Sequence, residues 1–224
     1  MRSSLTLVMV CVLATAPLRS APAPAAQSQV VDRIIARVED DIITLSEMRE
    51  LGAYQQLVDG RAEPDERLIQ ELIEQWAIRS EAEAAQFPQP SKPDVDHQVQ
   101  QLAARFPSEQ AFTQRLSELG LTADALRGIV TQQIYLTGYV DYRFRPTVDV
   151  TDDAIAQYYK ETLAPSLQAK QQAVPPLDAV TAQIREVLVT KAVNDRVAAW
   201  LDETKSRLRI EIDPAAKAGG EARP

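Results

Sequence analysis

Residues Pro64–Phe87, PDERLIQELIEQWAIRSEAEAAQF, decide the fold. Turned at about 100° per residue, the stretch gathers Leu68, Ile69, Leu72, Ile73, Trp76, Ser80 and Phe87 on one face, with Arg67, Gln70, Glu71, Glu74 and Glu81 opposite. This is the pattern of a helix with one buried stripe. Pro64 suits a helix start, where its missing N–H costs nothing, and Pro88 and Pro90 stop the helix beyond Phe87. One such helix anchors a core but cannot enclose one, so other amphipathic segments must cover it.

The flanking sequence supplies them. Val30–Thr44 alternates apolar and charged residues around the polar turn Glu39-Asp40-Asp41, as a short β-hairpin does. Thr44 with Glu47 three residues on is a capping box, opening a helix through Met48, Leu51, Tyr54 and Leu57 that gives out near Gly60. Beyond the proline break, Ser91 starts a helix carrying Val95, Val99, Leu102 and Phe106; Ser108 starts a shorter one with Phe112, Leu116 and Leu119, ended by Gly120. Thr122 caps a long helix lasting to about Phe144, and Thr151 caps another with Ile155, Tyr158 and Tyr159. Residues 162–177 hold three prolines and little periodicity, and read as a connector. A last long helix spans Asp178 to about Arg207. Its apolar set slides from Val180, Ile184, Val187 and Leu188 to Val193, Val197, Trp200 and Leu201, which implies two packing partners in succession. Leu208–Ile212, LRIEI, alternates as a strand should; a lone strand leaves its backbone unpaired, so it is expected to join the N-terminal hairpin. The expected fold is mainly α, with a small antiparallel sheet made by that hairpin and the C-terminal strand.

The ends are read as lying outside the fold. Arg2, the apolar run Leu5–Ala16 and Ala23-Pro24-Ala25 have the order of a cleavable export signal over residues 1–25, followed by a disordered lead at 26–29; residues 214–224 are read as a disordered tail. Cleavage would remove Cys11, the sole cysteine, leaving no disulfide or thiol nucleophile. It would also remove Arg2 and Arg19, moving the net charge from −8 to −10, a poor balance for nucleic acid or anionic lipid.

The segments VVDRIIARVEDDIITLSEM, ERLIQELIEQWAIRSEAEAAQF, FPSEQAFTQRLSELGLTADALRGIVTQQIYLTGYV, VTDDAIAQYYKE and the closing PPLDAVTAQIREVLVTKAVNDRVAAWLDETKSRLRIEI, in this order, resemble the SurA-like periplasmic chaperone family over about Val30–Asp213. The resemblance implies a helical chaperone domain at 30–161 and a C-terminal helix and strand at 178–213 packing back on it. In that family a parvulin prolyl isomerase domain usually sits between the two; here residues 162–177 replace it, too few for a domain. Parvulin sites resemble one another in carrying paired histidines, and this chain has only His97. The resemblance therefore implies an ATP-independent holdase, not an enzyme, located in the periplasm, with unfolded exported polypeptides, outer-membrane protein precursors among them, as partners and no cofactor. Two alternatives stand beside it: a prolyl isomerase relative with residual foldase activity, and an interaction module of the same fold that binds one folded partner.

Candidate sites are few. His97, alone on a polar face, reads as a solvated side chain rather than a base or ligand. The pairs Asp40-Asp41 and Asp152-Asp153 read as turn and helix-start residues rather than metal ligands. On the helix from Thr122, the core stripe is Leu126, Ile129, Val130, Thr137, Val140 and Phe144, while Tyr135, Tyr139 and Tyr142 cluster on the other side. These tyrosines either pack against the last helix around Val197 and Trp200, or with those two residues line a groove for unfolded polypeptide.

Overall fold

The computed structural model describes residues 32–217. The expected export signal, the lead at 26–29, the start of the hairpin at 30–31 and the tail at 218–224 lie outside the described residues. Within them the chain is mainly helical with one three-stranded antiparallel sheet. No helix among the described residues is long and apolar enough to cross a membrane.

β1 (Ile34–Val38) and β2 (Asp41–Thr44) form the hairpin, with Glu39 at a positive φ of 52° in its turn. Thr44 and Glu47 make the reciprocal capping box that opens α1 (Leu45–Val58). α2 (Asp65–Ala84) follows, with Pro64 as its cap residue. α3 (Lys92–Ala103), α4 (Glu109–Glu118), α5 (Ala123–Phe144) and α6 (Asp152–Tyr158) begin at Ser91, Ser108, Thr122 and Thr151, and each hydroxyl accepts a backbone N–H of its first turn.

Residues 162–177 are not a simple connector. The helix of α6 widens into a π turn over Tyr159–Leu163 and continues as α7 (Ala164–Ala169), leaving only residues 170–176 to link it to α8 (Leu177–Arg207). Pro165 explains the π turn. A proline ring clashes with the carbonyl four residues back in an α-helix, and the wider turn, in which the Ala164 N–H reaches the Tyr159 carbonyl, makes room for it.

β3 (Ile210–Ile212) pairs with β1, giving the order β2-β1-β3 and joining the two ends of the described chain. The pairing is reinforced beyond its three residues. The Asp213 N–H donates to the Ile35 carbonyl at 2.9 Å, and Arg209 donates through its N–H to the Glu39 carboxylate at 2.7 Å. The tail then departs from expectation: Pro214–Lys217 forms a last helical turn, α9, whose Ala216 is buried in the main core.

That core lies between the sheet and α2. Ile35, Val38, Ile69 and Ile73 are its largest fully enclosed side chains, and the Trp76 Nε1–H, at its edge, donates to the Asp41 carboxylate at 2.7 Å. Gly52 lets α1 approach α2 closely, since a Cβ there would meet Leu68 Cδ1 at 3.1 Å. A second core joins α3, α4 and the first half of α5, and a third packs Ile155 of α6 against Val180 and Ile184 of α8. α8 thus has its two successive partners, α6 first and then the main core. Val187 alone departs from its expected stripe and is exposed.

Candidate peptide-binding grooves

Phe87 decides where the tyrosines go. α2 ends in a Schellman motif: Gln86 takes a positive φ of 53°, its N–H reaches the Glu83 carbonyl, and the Phe87 N–H reaches the Ala82 carbonyl. The chain turns back and the Phe87 ring lies over Gly138 of α5, 5.7 Å from the Tyr135 ring, 5.6 Å from Tyr139 and 5.5 Å from Tyr142. Tyr135 and Tyr139 are only 4% and 3% exposed, whereas Tyr142 is 67% exposed. Burial pushes the Tyr135 hydroxyl above its ordinary pKa.

This corrects the expected site in two ways. Tyr135 and Tyr139 line no open groove, and what covers them is the end of α2 rather than α8. The periodicity puts Phe87 on the α2 stripe, but its position just after a helix end, where the Schellman motif favours an apolar residue, is the signal for the turn. The expected stripe of α5 shifts accordingly, with Tyr135, Leu136 and Tyr139 buried and Thr137 exposed. Trp200 sits elsewhere, its ring 5.7 Å from Phe144 and 5.1 Å from the Arg143 guanidinium, which also bonds Glu81 and the Tyr139 hydroxyl. Val197 lies on yet another surface. The five residues therefore do not form one site.

Open grooves lie elsewhere among the described residues, and two of them bear on binding. The larger, about 970 Å³, runs between α3 and α4 toward the start of α5. Val99 and Ala103 of α3, Phe106 beyond its end, and Phe112, Leu116 and Leu121 line it. The geometry follows from short elements. Ser91 and Ser108 start two helices that each bury only two side chains, Val95 and Leu102 on one, Phe112 and Leu116 on the other. Between them, Ala103 and Ala104 line the groove with nothing larger than methyl groups. The Phe106 and Phe112 rings meet at 5.2 Å in a tilted contact that shapes one wall. Sequence reasoning placed these residues in helices but did not single out the groove; the adjacent alanines were the available sign.

The smaller groove, about 450 Å³, lies between α2, α5 and α8 and includes Val197. Ile78, Leu136, Val140 and Leu201 complete its apolar lining. Glu71 and Glu74, assigned from sequence to the outward side of α2, are half-buried here because α5 and α8 close over that side. The Glu71 carboxylate accepts from the amides of Gln55 at 2.7 Å and Gln75 at 3.1 Å, and Gln75 in turn accepts from Gln132 at 3.0 Å. Burial raises the Glu71 pKa above the ordinary carboxylate value despite those bonds. Glu74 pairs with Lys205 at 2.7 Å.

Of the remaining candidates, Asp153 is exposed in the first turn of α6 and the others have structural partners. Asp40 pairs with Arg209, Asp41 accepts from Trp76, and Asp152 pairs with Arg185, whose other nitrogen bonds the Val150 carbonyl. His97 is exposed on α3 and bonds Gln101. No protein-family model matches the chain, and no curated protein matches it either.

Proposed function

We propose that this protein is an ATP-independent holdase that captures unfolded exported polypeptides, in the manner implied by its resemblance to the SurA-like periplasmic chaperones, with outer-membrane protein precursors among its clients. The observation that carries the reading is the α3–α4 groove, an open trough with an apolar lining and few charges. Burial there rewards apolar side chains at about 25 cal/mol per Å² without demanding a sequence. Affinity stays modest because the captured segment loses conformational freedom. Weak and reversible capture suits release without a nucleotide. The chain's net charge of −8 favours solubility of the loaded complex.

The test uses purified protein and an aggregation-prone unfolded client. Suppression of light scattering without nucleotide is expected, with no acceleration of a proline-limited refolding phase. Thr113→Glu, which sets a charge on the groove wall at an exposed position, is expected to abolish most of the suppression at unchanged thermal stability. Faster proline-limited refolding would favour an isomerase instead. Absence of suppression would overturn the reading.

A further inference from the structure

The groove between α2, α5 and α8 differs from its larger neighbour in charge. Its floor is apolar, built by Ile78, Leu136, Val140, Val197 and Leu201, and its polar rim carries three carboxylates, Glu71, Glu74 and Asp202. One cation, Lys205, serves two of them, at 2.7 Å from Glu74 and 3.6 Å from Asp202. Glu71 has no such partner. Its two oxygens accept only neutral amides, from Gln55 and Gln75, and among the described residues no Lys or Arg forms an ion pair with it. A half-buried carboxylate with no close ion pair, reached only from a distance by the Arg67 charge, is costly, and a cation brought by a ligand would offset that cost.

We propose that this groove is a second, charge-selective subsite of the holdase, taking an extended polypeptide segment in which Lys or Arg side chains flank apolar ones. The apolar side chains bury on Val197 and its neighbours while the cationic stems run up to Glu71 and Asp202, an arrangement that suits long side chains with an apolar stem and a charged head. A volume of about 450 Å³ admits a few side chains rather than a folded surface. The inference rests on the holdase reading. It adds that capture is biased toward basic amphipathic segments, whereas the α3–α4 groove, with Glu109 as its one charged wall residue, is nearly indifferent to charge.

The test measures binding of two synthetic peptides to the full chain by fluorescence anisotropy, one alternating valine and lysine, the other valine and glutamate. The lysine peptide is expected to bind more tightly, with the preference shrinking as salt rises. Asp202→Asn, at an exposed position, is expected to weaken the lysine peptide by about two- to fivefold, the range of a single exposed charge pair. Asp195→Asn removes the same charge from α8 outside the groove and is expected to leave the peptide's affinity within experimental error of the parent. Val197→Glu is expected to weaken the glutamate peptide further. Equal affinity for both peptides, or equal effects of Asp202→Asn and Asp195→Asn, overturns the subsite while leaving client capture intact. Failure of the chain to hold any unfolded client overturns both readings together.

Discussion

Around the sheet, Ile35, Val38, Ile69 and Ile73 are closed to solvent almost completely, whereas at the α3–α4 end Val99, Ala103 and Phe106 stay half-exposed beside a groove of about 970 Å³. Both regions are built from amphipathic segments with similar caps. The difference lies in what covers them. β3 and α9 come back from the far end of the chain and seal the first region, and α2 there has neighbours on several sides. α3 packs on α5, and α4 joins them through the apolar cluster around Phe112 and Leu116, so part of each apolar stripe has nothing over it. Stability is therefore concentrated in the sealed region, and capacity to bind apolar segments in the open one.

Ending the chain after Arg207 attacks the sealed region directly. It removes the pairs Ala36 with Ile212 and Val38 with Ile210 and uncovers the β1 edge. Urea unfolding should show a loss of about 4 kcal/mol or more, and sedimentation should show self-association through the bare strand edge. An unchanged midpoint would mean that the returning strand does not pin the fold.

A pair of cavity-forming variants sharpens the contrast. Ile73→Ala should cost about 2–5 kcal/mol, as for a fully enclosed aliphatic residue. Phe112→Ala removes a larger side chain but opens onto an existing groove, and is expected to cost about 2 kcal/mol, below the ~3–5 kcal/mol of an enclosed phenylalanine. Denaturant midpoints of both check this; a Phe112 variant as costly as an enclosed one would show that the α3–α4 layer is not loose.

Gln86→Gly tests the turn that hides the tyrosines. Gln86 holds a positive φ of 53° that glycine adopts without strain, so the variant should gain about 0.5 kcal/mol. A loss instead would mean that the Gln86 side chain matters to the turn.

The smallest effect concerns pH. Burial holds the folded Glu71 pKa above the ordinary carboxylate value, so the folded chain takes up this proton more readily than the unfolded one. Its contribution therefore becomes more favourable as pH falls through the window just above the carboxylate range, and less favourable as pH rises through it. Other carboxylates act in the opposite direction, so the readout is the difference between the parent and Glu71→Gln. The parent should gain stability relative to the variant on acidification; a difference constant with pH would contradict the burial.

Much of this was legible in the sequence because it is local. Thr44 with Glu47, Ser91, Ser108, Thr122 and Thr151 each announce a helix start within three residues, and each caps one. LRIEI was placed in the sheet by elimination, since its backbone had nowhere else to pair. What escaped depends on distant neighbours. The tyrosine face of α5 is ambiguous until Phe87 folds back on it, Glu71 looks outward until α5 and α8 arrive, and the groove exists only because two short helices fail to meet. Residues 162–177 read as a connector because of their prolines, although a π turn lets the helix pass Pro165.

The most direct measurement of the central claim is site-specific photo-crosslinking to an unfolded client. A benzophenone side chain replaces Ala104, on the exposed wall of the α3–α4 groove, and in a second protein Glu161, exposed on the π turn. The account predicts strong crosslinking to unfolded client from position 104, lost when the client is folded, and little from position 161. Equal yields from both positions, or none from position 104, would contradict it.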